Sequence, residues 1–231
     1  MKNTPLPPVT SHEDWQQHLA EITRLEKEHT RIKDQINAKR RLLPMYEVDS
    51  TYRFETENGE KTLLDLFDGR KQLIVYHFMF DTDWEQGCDG CSWVVDAMSH
   101  PAHLHVRSVS LVLVSKAPLS KLLSYKKRMG WTLDWVSSQG SSFNSDFGAT
   151  VASGENHGVS VFICNDRKVY RTYFTTASGV EHLGSHWTYL DLTPYGRQED
   201  WEKSPVGWPQ HKKYTIEKRH DAYQHDGRVK E

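Results

Sequence analysis

The apolar positions of this chain fall into continuous, alternating and helical runs. Residues 73–80 (LIVYHFMF) are almost continuously apolar and rich in β-branched and aromatic side chains, as in a strand covered on both faces. Val109–Ser115 (VSLVLVS) and residues 158–164 (GVSVFIC) read the same way. Residues 168–174 (KVYRTYF) alternate behind a tight turn at Asn165 and Asp166, so they predict a hairpin with the strand before them. Helical spacing appears in four places. Over His12–Arg41, Trp15, Leu19, Ile22, Leu25, Ile32 and Ile36 make one narrow stripe on a charged helix, capped by Thr10 or Ser11 with Glu13 or Asp14. Trp93, Val94, Ala97 and Met98 mark a helix that His100 and Pro101 end. Leu119, Leu122, Leu123 and Met129 mark one that starts at Pro118 and closes at Gly130. Val180, Leu183, Trp187 and Leu190 predict a last helix over residues 179–192.

The intervening stretches complete the order. Pro44 stops the first helix, residues 46–57 alternate in short pieces, and Asn58 with Gly59 predicts a hairpin turn. Residues 62–67 form a short helix or turn. Residues 131–148 predict a short strand at 134–136 and then a long ordered serine–glycine loop. Three divisions follow: an arm and helix (1–42), an α/β domain (43–196) and an extended charged tail (197–231). Within the domain the order is β–α–β–α–β–β–α, with a parallel pair joined by a right-handed crossover. That is the thioredoxin order, a three-layer α/β sandwich. The helix stripe must lie on something. Its own domain is the plainer partner, and a second copy, giving a homodimer through this helix, is the other.

Composition narrows the setting. Of 231 residues, 37% are hydrophobic and 26% charged, with a net charge of −2, so nothing argues for nucleic acid or an anionic membrane as partner. No apolar stretch of signal-peptide or membrane-spanning character is visible. Three cysteines do not make a disulfide framework. A cytoplasmic protein with resting thiols is expected.

Candidate chemistry sits between the first core strand and its helix. Asp81, Asp83 and Gly87 break the strand, and Cys88 and Cys91 follow, separated by Asp89 and Gly90. A Cys-x-x-Cys pair at the mouth of a helix suits thiol–disulfide exchange, because unpaired backbone N–H groups and the helix dipole favour a thiolate there. Asp89 works against this by setting a negative charge beside both sulfurs, which predicts a less acidic thiol and a more reducing couple. Two other readings stand beside the redox one. The pair is structural or vestigial, or it contributes two ligands to a metal site completed from His77, His100, His103 or His105. Histidine 77, inside an apolar strand, reads better as a hydrogen-bonded core residue, and Cys164, at a strand end, as an inert buried thiol. Candidate substrate or anion contacts are Lys116, Arg128 and Arg197, together with Asn144 and Asp146 in the serine-rich loop. No cofactor and no resident metal are expected.

Several phrases, YHFMFDTDW, GCDGCSW, VSKAP, KRMGW, WVSSQGSSFNSDFG, GVSVF, LDLTPYGR and RHDAY, closely resemble a bacterial thioredoxin-like family, domain-of-unknown-function family 899. The likeness runs from about Trp15 to Tyr223. It implies a thioredoxin-like fold related to the peroxiredoxin branch, and it names no substrate. Members of that family often carry proline between the cysteines, where this chain has Asp89. By analogy with the fold, Cys88 is the attacking thiol and Cys91 the resolving one. The expected activity is a thiol–disulfide oxidoreductase or thiol peroxidase acting on an unidentified thiol or disulfide partner. A binding module that keeps the fold for its surface is the non-enzymatic alternative. Thioredoxins place a cis-proline facing the cysteines; here Gly158 and Val159 stand at that point, so substrate recognition is expected to differ.

Overall fold

The computed structural model describes residues 4–223. The first three residues of the expected arm, and residues 224–231 of the expected tail, lie outside them. Helix α1 (His12–Arg41) opens on Ser11, whose Oγ accepts the Asp14 N–H at 3.1 Å. Strand β1 (Tyr46–Val48) follows Pro44, and β2 (Arg53–Thr56) turns at Asn58 and Gly59 onto β3 (Gly59–Thr62). After a 3-10 turn at Asp65–Phe67 come β4 (Gln72–His77), α2 (Asp89–Asp96), α3 (Ala102–His105), β5 (Val109–Ser115), α4 (Leu119–Arg128) and β6 (Asp134–Ser137). The second half holds α5 (Phe143–Asp146), β7 (Thr150–Val151), β8 (Gly154–Glu155), β9 (Gly158–Asn165), β10 (Lys168–Thr175), a 3-10 helix at Ala177–Leu183 and α6 (Ser185–Asp191).

Strand β4 lies at the centre of an eight-stranded sheet ordered β1-β10-β9-β4-β5-β6-β2-β3. It runs parallel to β5, with Val75 opposite Val112, and antiparallel to β9, with Val75 opposite Ser160. Pairing on both edges is why β4 reads as a continuous apolar run. Its alternate side chains then feed two cores. Tyr76 joins Leu113, Val94, Leu122, Tyr125 and Trp135 under α2 and α4. Leu73 and Val75 join Val112, Val114, Phe143 and Phe162 on the other face. The β5-β4-β9-β10 core, two parallel strands and then an antiparallel hairpin, is the thioredoxin arrangement that the element order predicted. Strand β6 beside β5 and the β2–β3 hairpin extend it at one edge.

Strand β1 pairs with β10, at the opposite edge from the β2–β3 hairpin. Three local expectations change. The serine-rich loop is not all loop: Phe143 is fully buried and winds residues 143–146 into α5. The short β7–β8 hairpin follows it, too brief to show a period. The last helix is broken at Gly184, where the Trp187 ring packs so close that a Cβ would lie 2.4 Å from it. Helix α1 buries none of its residues, so its apolar stripe is not covered by its own domain. From Arg197 to Tyr223 the described chain forms one bridge, between Glu199 and His211, and one 3-10 turn, His220–Ala222. Among the described residues no helix is long and apolar enough to cross a membrane.

Candidate functional site

The loop after β4 is pinned so that Cys88 arrives at the start of α2. The Cys88 N–H donates to the Met79 carbonyl at 3.1 Å. Glycine is required at position 87, because a Cβ there would lie 2.6 Å from the Phe78 ring. Cys88 is itself the N-cap of α2, and its Sγ accepts the Cys91 N–H at 3.4 Å. Its carbonyl accepts the Ser92 N–H at 3.0 Å and the Ser92 Oγ–H at 2.8 Å. Both thiols are free; Cys88 is half-buried and Cys91 is 2% exposed.

The two sulfurs have unlike environments. The Cys91 thiol, acting as a hydrogen-bond donor, is the main influence holding Cys88 below the ordinary thiol range. Burial opposes it, the Cys91 and Gly90 backbone N–H groups assist it, and the result is about 7. Burial pushes Cys91 well above the ordinary value, and its position as donor to Cys88 adds to that. The buried Tyr76 hydroxyl interacts with the Cys91 thiol and opposes the rise. A half-buried acidic thiol beside a fully buried one that stays protonated is the division of roles a dithiol exchange site needs.

Asp89 acts on Cys88 in the direction expected, raising it. Its carboxylate lies 2.6 Å from Arg219 Nη1, in an ion pair, and its opposing influence on Cys88 is outweighed. Arg219 belongs to a C-terminal strap laid over α2. Trp93 Nε1 donates to the Lys218 carbonyl at 2.6 Å and to the Tyr223 hydroxyl at 3.0 Å. His220 Nδ1 lies 2.9 Å from the Asp96 carboxylate, and Arg128 Nε donates to Asp221 at 2.6 Å.

Both cysteines line a cleft of about 420 Å³. Tyr76 and Val94 line it beside them, and so does His157, which stands just before β9. Gly158 is tightly enclosed, since a Cβ would meet the Phe174 ring at 2.8 Å. The far wall comes from Val180, Glu181 and Trp187, and the strap adds Tyr214 and Glu217. Burial alone would raise Glu181, but hydrogen bonds from Tyr214, Arg197 and Lys213 hold it down at about 2. Burial pushes Glu217 up and His157 down, so both are biased toward their neutral forms.

The five candidate substrate or anion contacts have internal partners, and none lines this cleft. Lys116 pairs with Asp81 at 3.1 Å and Arg128 with Asp221. Arg197 donates to Asp191 at 2.6 Å and to Glu181 at 2.7 Å, and so reaches the cleft only through Glu181. Asn144 is buried, accepting from Ser138 Oγ at 2.8 Å and donating to Glu155 at 3.2 Å. Asp146 accepts from Tyr52 and Ser142. His77 is the core histidine expected: its Nε2 lies 2.8 Å from Ser160 Oγ, and burial first, with Arg171 adding to it, holds the ring neutral with a pKa of about 3. Cys164 is half-buried rather than buried, because β9 ends there at the surface. Among the described residues no group of three or more Cys, His, Asp or Glu is arranged to hold a metal ion.

A family model described as bacterial protein of unknown function, DUF899, matches residues 4–223. The chain belongs to that family. No curated protein matches it. Among solved structures it is similar to peroxidoxin BcpB from Mycobacterium tuberculosis (15% identity, TM-score 0.46, covering 62% of this chain and 94% of that one). It is also similar to a cysteine-to-serine mutant of PrxQ from Xylella fastidiosa (12%, 0.43, 62% and 94%). Peroxiredoxin Q from Xanthomonas campestris is a further neighbour (10%, 0.41, 62% and 95%). The fold of this family member stands on its own strand order and register. Of the residues around the cysteines, Tyr76 and Arg219 had a signal in the sequence, in the phrases YHFMFDTDW and RHDAY. His157, Glu181 and Tyr214 had none.

Proposed function

We propose that this DUF899 protein is a thiol–disulfide oxidoreductase in which Cys88 attacks and Cys91 resolves. The observation that carries this reading is Cys88. It caps α2, its thiol sits at about 7, and it lines a cleft of about 420 Å³ beside a buried partner thiol. In the reductive direction the Cys88 thiolate attacks one sulfur of a substrate disulfide and expels the other as a thiolate, giving a mixed disulfide. Cys91 then loses its proton and attacks Cys88. The Cys88–Cys91 bond forms, the substrate leaves as a dithiol, and two electrons have passed to it. An external dithiol returns the pair to the reduced state.

The test is turnover of a small aromatic disulfide with dithiothreitol as terminal reductant. Wild type turns over and Cys88→Ser does not, while Cys91→Ser, given the disulfide without dithiothreitol, stops at a mixed disulfide on Cys88. The same three proteins assayed with hydrogen peroxide distinguish a peroxidase from a disulfide reductase. The proposal fails if wild type shows neither activity and Cys91→Ser accumulates no adduct.

A further inference from the structure

Helix α1 is the long element whose apolar side chains are left uncovered. None of its residues is buried, and Trp15, Ile22, Leu25 and Ile32 are at least half exposed. Its neighbours in the fold lie before its start and near its C-terminal end. The Tyr195 hydroxyl donates to the Pro5 carbonyl at 3.1 Å, and the Arg40 guanidinium stacks over the Tyr173 ring at 4.9 Å. A helix of 30 residues draws its stability in water mainly from packing, so this stripe calls for a partner.

Two features of α1 say which partner. The first is spacing. Trp15, Ile22, His29 and Ile36 recur every seven residues, and His18, Leu25, Ile32 and Lys39 recur three places later. That is the heptad seam of helix-on-helix packing. The second is charge. Between residues 12 and 26, Glu13, Asp14, Glu21 and Glu26 outnumber Arg24. Between residues 27 and 41, Lys27, Arg31, Lys33, Lys39, Arg40 and Arg41 outnumber Glu28 and Asp34. A helix acidic in its first half and basic in its second complements itself when two copies run antiparallel, and repels itself when they run parallel.

We propose that α1 is a dimerisation element that packs antiparallel on α1 of a second copy of this chain. A twofold axis near residue 27 sets Ile22 of one copy against Ile32 of the other and Leu25 against His29, with Trp15 covering the stem of Lys39. It also lays the acidic first half of each helix along the basic second half of the other. The arrangement is isologous and closed. It rests on nothing in the reading of the cysteines.

Light scattering on the full-length protein tests it. Wild type at micromolar concentration is expected at twice 26.9 kDa. The double variant Ile22→Asp, Ile32→Asp is expected at the monomer mass with its Cys88 alkylation rate unchanged, which shows that the domain is folded. Charge variants test the charge complementarity. A chain with Glu13, Asp14, Glu21 and Glu26 all changed to Lys is monomeric alone, as is a chain with Arg31, Lys33, Arg40 and Arg41 all changed to Glu. Mixed, the two form a dimer. A wild type that stays monomeric overturns the proposal. So does a dimer that survives the aspartates, or charge variants that dimerise alone as well as wild type does.

Discussion

Removing the Cys91 thiol should return Cys88 toward an ordinary thiol. The Cys91 S–H donor is the largest influence on Cys88, which is lowered from 9.0 to about 7. Two pH units correspond to about 2.7 kcal/mol. A hydrogen bond to a charged acceptor contributes about 1.5–3 kcal/mol, and the backbone N–H groups remain in place after substitution. Cys91→Ala should therefore raise the Cys88 midpoint by about one to two units, to between about 8 and 9. The thiolate fraction at pH 7 falls from about one half to between about one tenth and one hundredth. Cys91→Ser keeps a donor at the same position and should shift the midpoint less. The assay is the rate of iodoacetamide alkylation against pH in a Cys164→Ser background. If the midpoint in Cys91→Ala stays at about 7, Cys91 does not set the acidity of Cys88, and the division between the two thiols is wrong.

Three further perturbations probe the surroundings. Arg219→Ala strips Asp89 of its counter-ion and should raise the Cys88 midpoint by less than about one unit; adding Asp89→Asn should cancel the rise in the same alkylation profile. Glu181 lies at about 2 in the folded protein against an ordinary 4.5, so its stabilising contribution is complete above pH 4.5 and is lost as pH falls toward 2. Urea unfolding should show Glu181→Gln less stable by up to about 3 kcal/mol at pH 7, with the gap closing near pH 2; a gap independent of pH would contradict the Arg197–Lys213–Tyr214 clasp. Gly87→Ala pushes a methyl into the Phe78 ring and should cost about 1–3 kcal/mol, seen as a fall in Tm of about 2–10 °C, while an unchanged Tm would mean that the loop before Cys88 is loosely held.

What the sequence conveyed depended on how local each feature was. Strands β4, β5 and β9 were legible because burial on both faces leaves continuous apolar runs. The position of Cys88 followed from the strand, the loop break at Gly87 and the helical period beginning at Trp93. The cleft was not legible, because its walls come from segments far apart in the chain. Tyr76 looked like one more core aromatic, and Glu181 and Tyr214 meet only through folding. The counter-ion of Asp89 was hidden for the same reason: Arg219 lies far along the chain. Residues 143–146 fell within what read as a loop, yet they form a turn of helix with Phe143 fully buried. Gly184 interrupts what the period of Val180, Leu183 and Trp187 suggested was one helix, because the Trp187 ring needs the space above it.

The most direct measurement is the oxidation product of the wild-type protein. After one equivalent of oxidant, peptide mass mapping without reductant should find a single intramolecular disulfide joining Cys88 to Cys91. It should be reversed by dithiothreitol, absent from Cys88→Ser and Cys91→Ser, and accompanied by a Cys164 that is still free. Recovery of Cys88 and Cys91 as unlinked thiols, or of Cys88 oxidised to sulfinic acid without that bond, would contradict a dithiol exchange site.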